Sequence, residues 1–240
     1  MNGSFIVKFK NIGDNLEIDF SSINFKEKFL EKIDNLSDKF KINILNKRPD
    51  NIIIGKDEDF FLRISYFEDE IFTKLSQELF KHKLLKLPFF QFEVLSFVSK
   101  SKWNKNFEEI NIEDQVFINF YTPYVSKFGD NFVIEFNPYF FFNSIYKDEN
   151  RDNELNLKKI SNKIRFETLE LLEKRVNFDI NFGFGIKGII RLDLSDLSYY
   201  DKEFIKTLLK IGYYKGVGYK KELGYGMYFI EENVYENSNI

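Results

Sequence analysis

Cysteine is absent from the chain, and so is alanine; there is one histidine, His82, one tryptophan and four prolines. Without cysteine there are no disulfides, thiolate metal sites or cysteine nucleophiles. A single histidine excludes any multi-histidine site. The acidic runs 57–59 and 68–70 offer oxygen ligands that suit Mg²⁺, but a turn and a helix start are simpler places for those carboxylates, so no metal and no cofactor are expected. Long apolar runs are missing too. No segment approaches the roughly 18 uninterrupted apolar residues that a membrane span needs. Residues 1–10 lack a basic region followed by an apolar stretch, so no signal peptide is expected. A cytoplasmic protein with no membrane partner is the expectation. What the chain has in plenty is aromatic bulk, 30 Phe and 13 Tyr among 240 residues. It is also rich in Asn, Lys and Ile, so a single Lys or Asn carries little weight.

The formal net charge is −3, which on its face disfavours nucleic acid, because phosphates need local cations. Segregated charge changes that reading. Residues 202–221 hold six lysines (202, 206, 210, 215, 220 and 221) against Glu203 alone. Residues 151–191 carry nine basic side chains against six acidic ones. Acid gathers elsewhere, at 57–59 and 68–70. A polarised surface follows.

Periodicity divides the chain into two similar halves. Phe5–Phe9 alternates like a strand, with Phe5, Val7 and Phe9 on one face. Ser21 and Ser22 cap a predicted helix with Phe29, Ile33, Leu36 and Phe40 at helical spacing. Asn51–Ile54 and Phe60–Tyr66 read as strands around a polar turn. A helix with Ile71, Phe72, Leu75 and Leu79 follows, then a strand at Phe89–Val98. That order is β-α-β-β-α-β, the ferredoxin-like pattern. Residues 100–115 are polar and aperiodic, a linker. The second half starts with a strand at Val116–Phe120. Helices are predicted near Pro138 and over Leu155–Val176, strands at Phe178–Phe182 and Ile186–Leu194. A helix over Asp201–Ile211 with Gly212 as its cap and a strand at Gly224–Glu232 complete it. The fold class is therefore α+β with antiparallel sheets: an N-terminal domain over 1–100 and a C-terminal one over 112–240.

The sharpest feature is the stretch 212–226, which holds five of the twelve glycines: Gly212, Gly216, Gly218, Gly224 and Gly226. Glycines so placed allow positive φ and close backbone approach. With Lys215, Lys220 and Lys221 alongside, exposed N–H groups would suit phosphate. Tyr213, Tyr214, Tyr219 and Tyr225 would offer faces to unpaired bases. A tight helix-to-strand turn accounts for the same glycines. The string Gly183-x-Gly185-x-x-Gly188 imitates a dinucleotide fingerprint, but a strand, not a helix, follows it, and that reading is rejected.

Gly-x-Gly, five residues, then Gly-x-Gly, ahead of the last strand, resembles the signature loop of the RAMP superfamily. Phe61-Leu-Arg63-Ile-Ser65, Tyr121-Thr122-Pro123 and Gly185–Leu194 fall in the order found in the endoribonucleases that process precursor CRISPR RNA, the sixth Cas protein family. The resemblance implies two tandem ferredoxin-like (RRM-like, RAMP) domains. It implies metal-independent cleavage in which the ribose 2′-OH attacks the adjacent phosphate. Its partner would be CRISPR repeat RNA, with other Cas proteins of an effector complex or a second copy of the chain as further partner classes. RNA-binding residues would be Arg48, Lys215, Gly216, Gly218, Lys220, Lys221, Gly224 and Gly226. Many relatives place a catalytic His near the end of the first helix, and here 24–49 contains none. Lys47 and Arg48 are the cations nearest that place. Lys47 and His82 are the candidate catalytic residues, His82 because imidazole titrates near neutrality. A RAMP subunit that binds CRISPR RNA without cutting it is the rival reading. A structural module sharing only the fold is the third.

Overall fold

The computed structural model describes residues 3–18, 40–44, 52–66, 69–81, 84–87, 90–98, 110–147, 154–178, 181–221 and 225–231. The chain divides into two compact units, Met1–Glu109 and Ile110–Ile240.

In the first unit, β1 (Gly3–Asn11), β3 (Phe40–Ile44), β5 (Asp59–Tyr66), β6 (Leu84–Leu87) and β7 (Phe90–Val98) form one sheet in the order β3-β5-β1-β7-β6. All its strand pairs are antiparallel. Helix α1 (Asp69–Lys81) joins β5 to the β6–β7 ribbon. Phe5, Val7, Phe9, Phe60, Leu62, Ile64 and Phe92 are buried, as alternation along β1 and β5 requires. On the opposite side of those strands Arg63 is fully buried, its Nε 3.5 Å from the Ser4 hydroxyl.

Two expectations for this unit change. The second sheet strand is β3, not 51–54; Phe40 begins it instead of closing a helix. Ile52–Ile54 (β4) pairs instead with Leu16–Ile18 (β2) in a separate ribbon. The rest of the first predicted helix lies outside the described residues.

The second unit repeats the scheme. Strands β8 (Gln115–Tyr124), β11 (Arg165–Phe178), β12 (Asn181–Asp193) and β13 (Tyr228–Glu231) are ordered β11-β12-β8-β13. Taken in chain order within the unit this is second-third-first-fourth, the order that β3-β5-β1-β7 follows in the first unit. It is the antiparallel ferredoxin-like arrangement. A small ribbon, β9 (Ser126–Phe128) with β10 (Asn131–Val133), follows β8. Helices α2 (Pro138–Tyr146) and α3 (Glu154–Ser161) make the first crossover, and α4 (Tyr199–Lys215) the second. Val116, Ile118, Phe120, Phe141, Ile145, Leu208 and Tyr228 are among its buried side chains.

The helix expected over Leu155–Val176 is only eight residues, and a 14-residue strand, β11, replaces its second half. The predicted strand Phe178–Phe182 is divided between two: Phe178 ends β11 and pairs with Asn181, which begins β12. Helix α4 runs two residues further at its start and four at its end than predicted, and its C-cap is Gly216, not Gly212. Ser198 caps its start, accepting from the Asp201 N–H. Among the described residues no helix is long and apolar enough to cross a membrane.

Candidate nucleic-acid interface

The segment after α4 is held by a set of local hydrogen bonds. Gly216 N donates to Gly212 O at 2.8 Å, closing the helix, and Val217 N donates to Gly226 O at 3.0 Å. Tyr219 N donates to Val125 O at 2.7 Å and Gly226 N to Pro123 O at 2.8 Å, so the loop is clasped to the end of β8. Side chains complete the clasp. Ser144 Oγ on α2 accepts from Gly218 N at 2.8 Å, and Thr122 Oγ1 on β8 accepts from Met227 N at 2.8 Å.

The glycines serve this closeness. A Cβ on Gly218 would lie 2.3 Å from Val125 O, and one on Gly226 would lie 1.8 Å from Val217 O. Both have positive φ, +86° and +65°. Gly212 sits inside α4, where a Cβ would meet the Tyr228 hydroxyl at 2.5 Å. That hydroxyl donates to Leu209 O at 2.6 Å, linking β13 to the helix. The N–H groups of 216–219, 226 and 227 are thus occupied within the fold. At those six positions a phosphate would be met by side chains, not by free amides.

The side chains sort into two groups. Tyr213, Tyr214 and Tyr225 are buried and belong to the core, which corrects their expected role as stacking faces. Tyr219 alone of the four is half-buried. Its ring packs with Phe132 against a core of Val125, Val176 and Tyr225. Two ammonium groups lie over that ring, Lys127 Nζ at 5.1 Å and Lys220 Nζ at 5.7 Å from its centroid. Lys221 Nζ donates to Ser144 O. Lys215, in the last turn of α4, lies beside the cap.

The lysine band is shorter than its sequence suggests. Lys202 and Lys206 both reach Asp114, at 2.6 and 3.5 Å, and Lys206 also reaches Glu203 at 3.8 Å. The hydrogen bond from Lys202 holds the Asp114 carboxyl below the usual aspartate range, against the smaller opposing effect of burial. On the sheet, Arg165 pairs with Asp193 and Asp196, and Arg191 with Glu167. Lys215, Lys220 and Lys221 lie on or beside the loop, and Lys127 reaches it from β9.

Lys47, Arg48, His82 and Gly224 lie outside the described residues. Among the described residues no three His, Cys, Asp or Glu side chains gather as a metal-ligand group. Gly183–Gly188 lies within β12, with strand on both sides. Two contributors, Ser144 and Lys127, escaped the sequence reading, and Thr122 entered it only within Tyr121-Thr122-Pro123, with no role of its own. A serine inside the apolar run Phe140-Phe-Phe-Asn-Ser-Ile was the one visible signal, since a hydroxyl there needs a partner.

No family model matches the sequence, and no curated protein resembles it in sequence. Solved structures do resemble it in fold. A Cas6 product complex superposes with a TM-score of 0.76 at 17% identity, over 96% of this chain and 100% of that one. A Cas6-related protein from Pyrococcus furiosus gives 0.58 at 18% identity, over 97% and 100%. A RAMP protein binding different RNA substrates gives 0.55 at 17%, over 96% and 100%. Both ferredoxin-like units, not one alone, enter these superpositions. The chain has the fold of the Cas6 and RAMP proteins.

Proposed function

We propose that this protein is an endoribonuclease that cuts CRISPR precursor RNA within its repeats. The observation that carries the reading is the full-length match in fold to a Cas6 product complex, with a glycine loop and lysines at the end of its last helix. In the proposed reaction the ribose 2′-OH loses its proton and its oxygen bonds to the adjacent phosphorus. The P–O5′ bond breaks and the departing oxygen takes a proton. The products are a 2′,3′-cyclic phosphate and a 5′-OH. Lys47 is the proposed stabiliser of the crowded phosphorane, and His82 the alternative acid–base group. Arg48, Lys215, Lys220 and Lys221 are proposed to hold the RNA backbone, with the loop glycines positioning them. The proposed reaction is acid–base chemistry with cationic stabilisation by side chains and uses no metal.

The absence of histidine between 24 and 49 favours a second reading, a RAMP subunit that binds CRISPR RNA without cutting it. Incubation with end-labelled repeat RNA in EDTA separates the two. The nuclease reading expects a cyclic-phosphate product that a 2′-deoxy substitution at the cut site abolishes. Retention of intact RNA supports the binding subunit, and no binding at all removes both.

A further inference from the structure

Successive side chains along β9 point to opposite sides of the ribbon. Lys127 turns towards Tyr219, its Nζ 5.1 Å from that ring's centroid, and Phe128 turns the other way. Phe128 is 66% exposed, and its ring lies against Phe140 on α2, centroids 5.6 Å apart and tilted by 38°. Phe140 in turn lies 5.6 Å from Tyr139, and Lys158 on α3 brings its Nζ to 5.9 Å from the Tyr139 centroid. Phe140 and Tyr139 are half-buried and Lys158 is exposed. One exposed phenylalanine by itself calls for no explanation. Three aromatic rings in sequence, ending at an ammonium group, form a continuous surface.

Helix α2 ties this row to the glycine loop. Phe140 and Ser144 are four residues apart and share a helix face, about 5.4 Å or one turn from each other. Ser144 anchors the loop: its Oγ accepts from Gly218 N and its carbonyl from Lys221 Nζ. The row therefore begins about one helical turn from the lysine-bearing loop. Cations flank it on both sides, Lys127 across β9 and Lys158 beyond Tyr139. Asp130 pairs with Lys127 at 3.9 Å in the exposed turn, a contact weak enough to yield to a phosphate. Aromatic faces set among cations suit an unpaired strand, whose bases stack while its phosphates meet the charges. An apolar protein surface laid on the same row would have to desolvate the ammonium groups beside it.

We infer that Phe128, backed by Phe140 and Tyr139, is a stacking platform for an unpaired base of RNA, with Lys158 at the far end of the row as a contact for the strand's backbone. This rests on the proposed function and deepens it, by laying an unpaired segment of the bound RNA on the outer side of the β9–β10 ribbon. Stacking uses the π face that every base has, so the platform is indifferent to base identity.

The test measures binding of the full chain to a fluorescein-labelled single-stranded RNA across a salt series, and to an abasic strand of the same length. Phe128→Ala should weaken RNA binding about 5- to 150-fold, the range that loss of one stacked base gives. Its salt slope should not change, because no charge is lost. Phe128→Trp should restore the affinity, and the abasic strand should bind wild type and Phe128→Ala alike. Lys158→Ala should lower the slope by about 0.7 on both strands. Phe128→Ala should melt within about 2 °C of wild type, as substitutions of exposed residues do, which separates lost stacking from lost fold. If Phe128→Ala binds RNA as wild type does while Lys215→Ala/Lys221→Ala loses slope, the platform is overturned and the RNA reading stands. Equal weakening on the RNA and the abasic strand also overturns it. So does a Phe128→Ala protein altered only in self-association, which would make the row a contact between copies of the chain. If the wild type does not bind the RNA, both fall.

Discussion

Two glycines in the second unit make a matched pair for separating backbone conformation from close packing. Gly129, in the β9–β10 turn, has φ +59°, and a Cβ there would meet nothing within 4 Å. Gly218 has φ +86°, and its Cβ would lie 2.3 Å from Val125 O and 2.8 Å from Tyr124 Cε2. Gly129→Ala should therefore cost only the left-handed conformation, about 1 kcal/mol. Gly218→Ala should cost that and more, since a carbonyl on the end of β8 must move. Moving it endangers the bonds Tyr219 N to Val125 O and Gly218 N to Ser144 Oγ, each contributing roughly 0.5–1.5 kcal/mol. The expected total is about 2–4 kcal/mol. At about 2–4 °C per kcal/mol for a chain of this size, thermal melts should fall by about 2–4 °C and about 4–16 °C respectively. Equal losses in the two variants would show that the loop is not clasped to β8. A Gly218→Ala protein as stable as wild type would remove the close approach altogether.

Other outcomes follow from the same contacts. Thr122→Val should leave the buried Met227 N–H without its hydroxyl acceptor and cost about 1–3 kcal/mol in urea melts. Thr122→Ser should recover most of that loss. Asp114 is held below the usual aspartate range mainly by Lys202, so its contribution is present above that range and fades as pH falls through the lowered value. Asp114→Asn should thus destabilise by about 0.2–1 kcal/mol near neutrality, as partly exposed pairs do, and match wild type in melts in strong acid. In the cleavage assay Lys47→Ala should slow the rate about 10²–10³-fold, by analogy with the loss of one oxyanion donor, and more than His82→Ala does. The reverse order would move the active site to the far end of the first unit.

Much of the fold was legible because its strands are buried on at least one face. β1, β5 and β8 alternate or run apolar, and α1 and α4 keep helical spacing. β11 was misread for a physical reason. Its sequence, Arg-Phe-Glu-Thr-Leu-Glu-Leu-Leu-Glu-Lys-Arg-Val, is made of good helix formers, and Phe166, Leu169, Leu172 and Val176 fall at helical spacing. The strand lies at the edge of its sheet, and Phe166, Leu171 and Leu172 stay exposed. No period of two is imposed where little of either face is buried. The pairing also slips between Thr168 and Glu170, breaking whatever alternation there was. Charges on an exposed edge suit that position, since they discourage further strand pairing. Gly212 misled in the opposite way. A glycine near a helix end reads as a cap, but this one makes room for the Tyr228 hydroxyl, a partner sixteen residues on.

The loop teaches the same lesson at the level of the site. Glycine spacing located it, yet spacing cannot distinguish amides offered to a ligand from amides bonded to the protein. The distinguishing partners, Thr122 and Ser144, are 74 to 105 residues away in sequence. Nor could composition separate the tyrosines: three of four are core, and the fourth is defined by Lys127, which no local pattern singles out. The close approach at Gly218 lets the Tyr219 N–H reach Val125 O, just past the end of β8, and Lys220 and Lys221 follow directly in the chain. Weakening the clasp at Thr122, which carries no charge itself, should then lower RNA affinity by loosening the loop that presents Lys220 and Lys221, without changing the number of cations. The salt slope should stay at its wild-type value while affinity falls, a separation that loss of a lysine cannot produce. A Thr122→Val protein with reduced slope would mean that the clasp acts on RNA directly, and the division between positioning and contact would have to be abandoned.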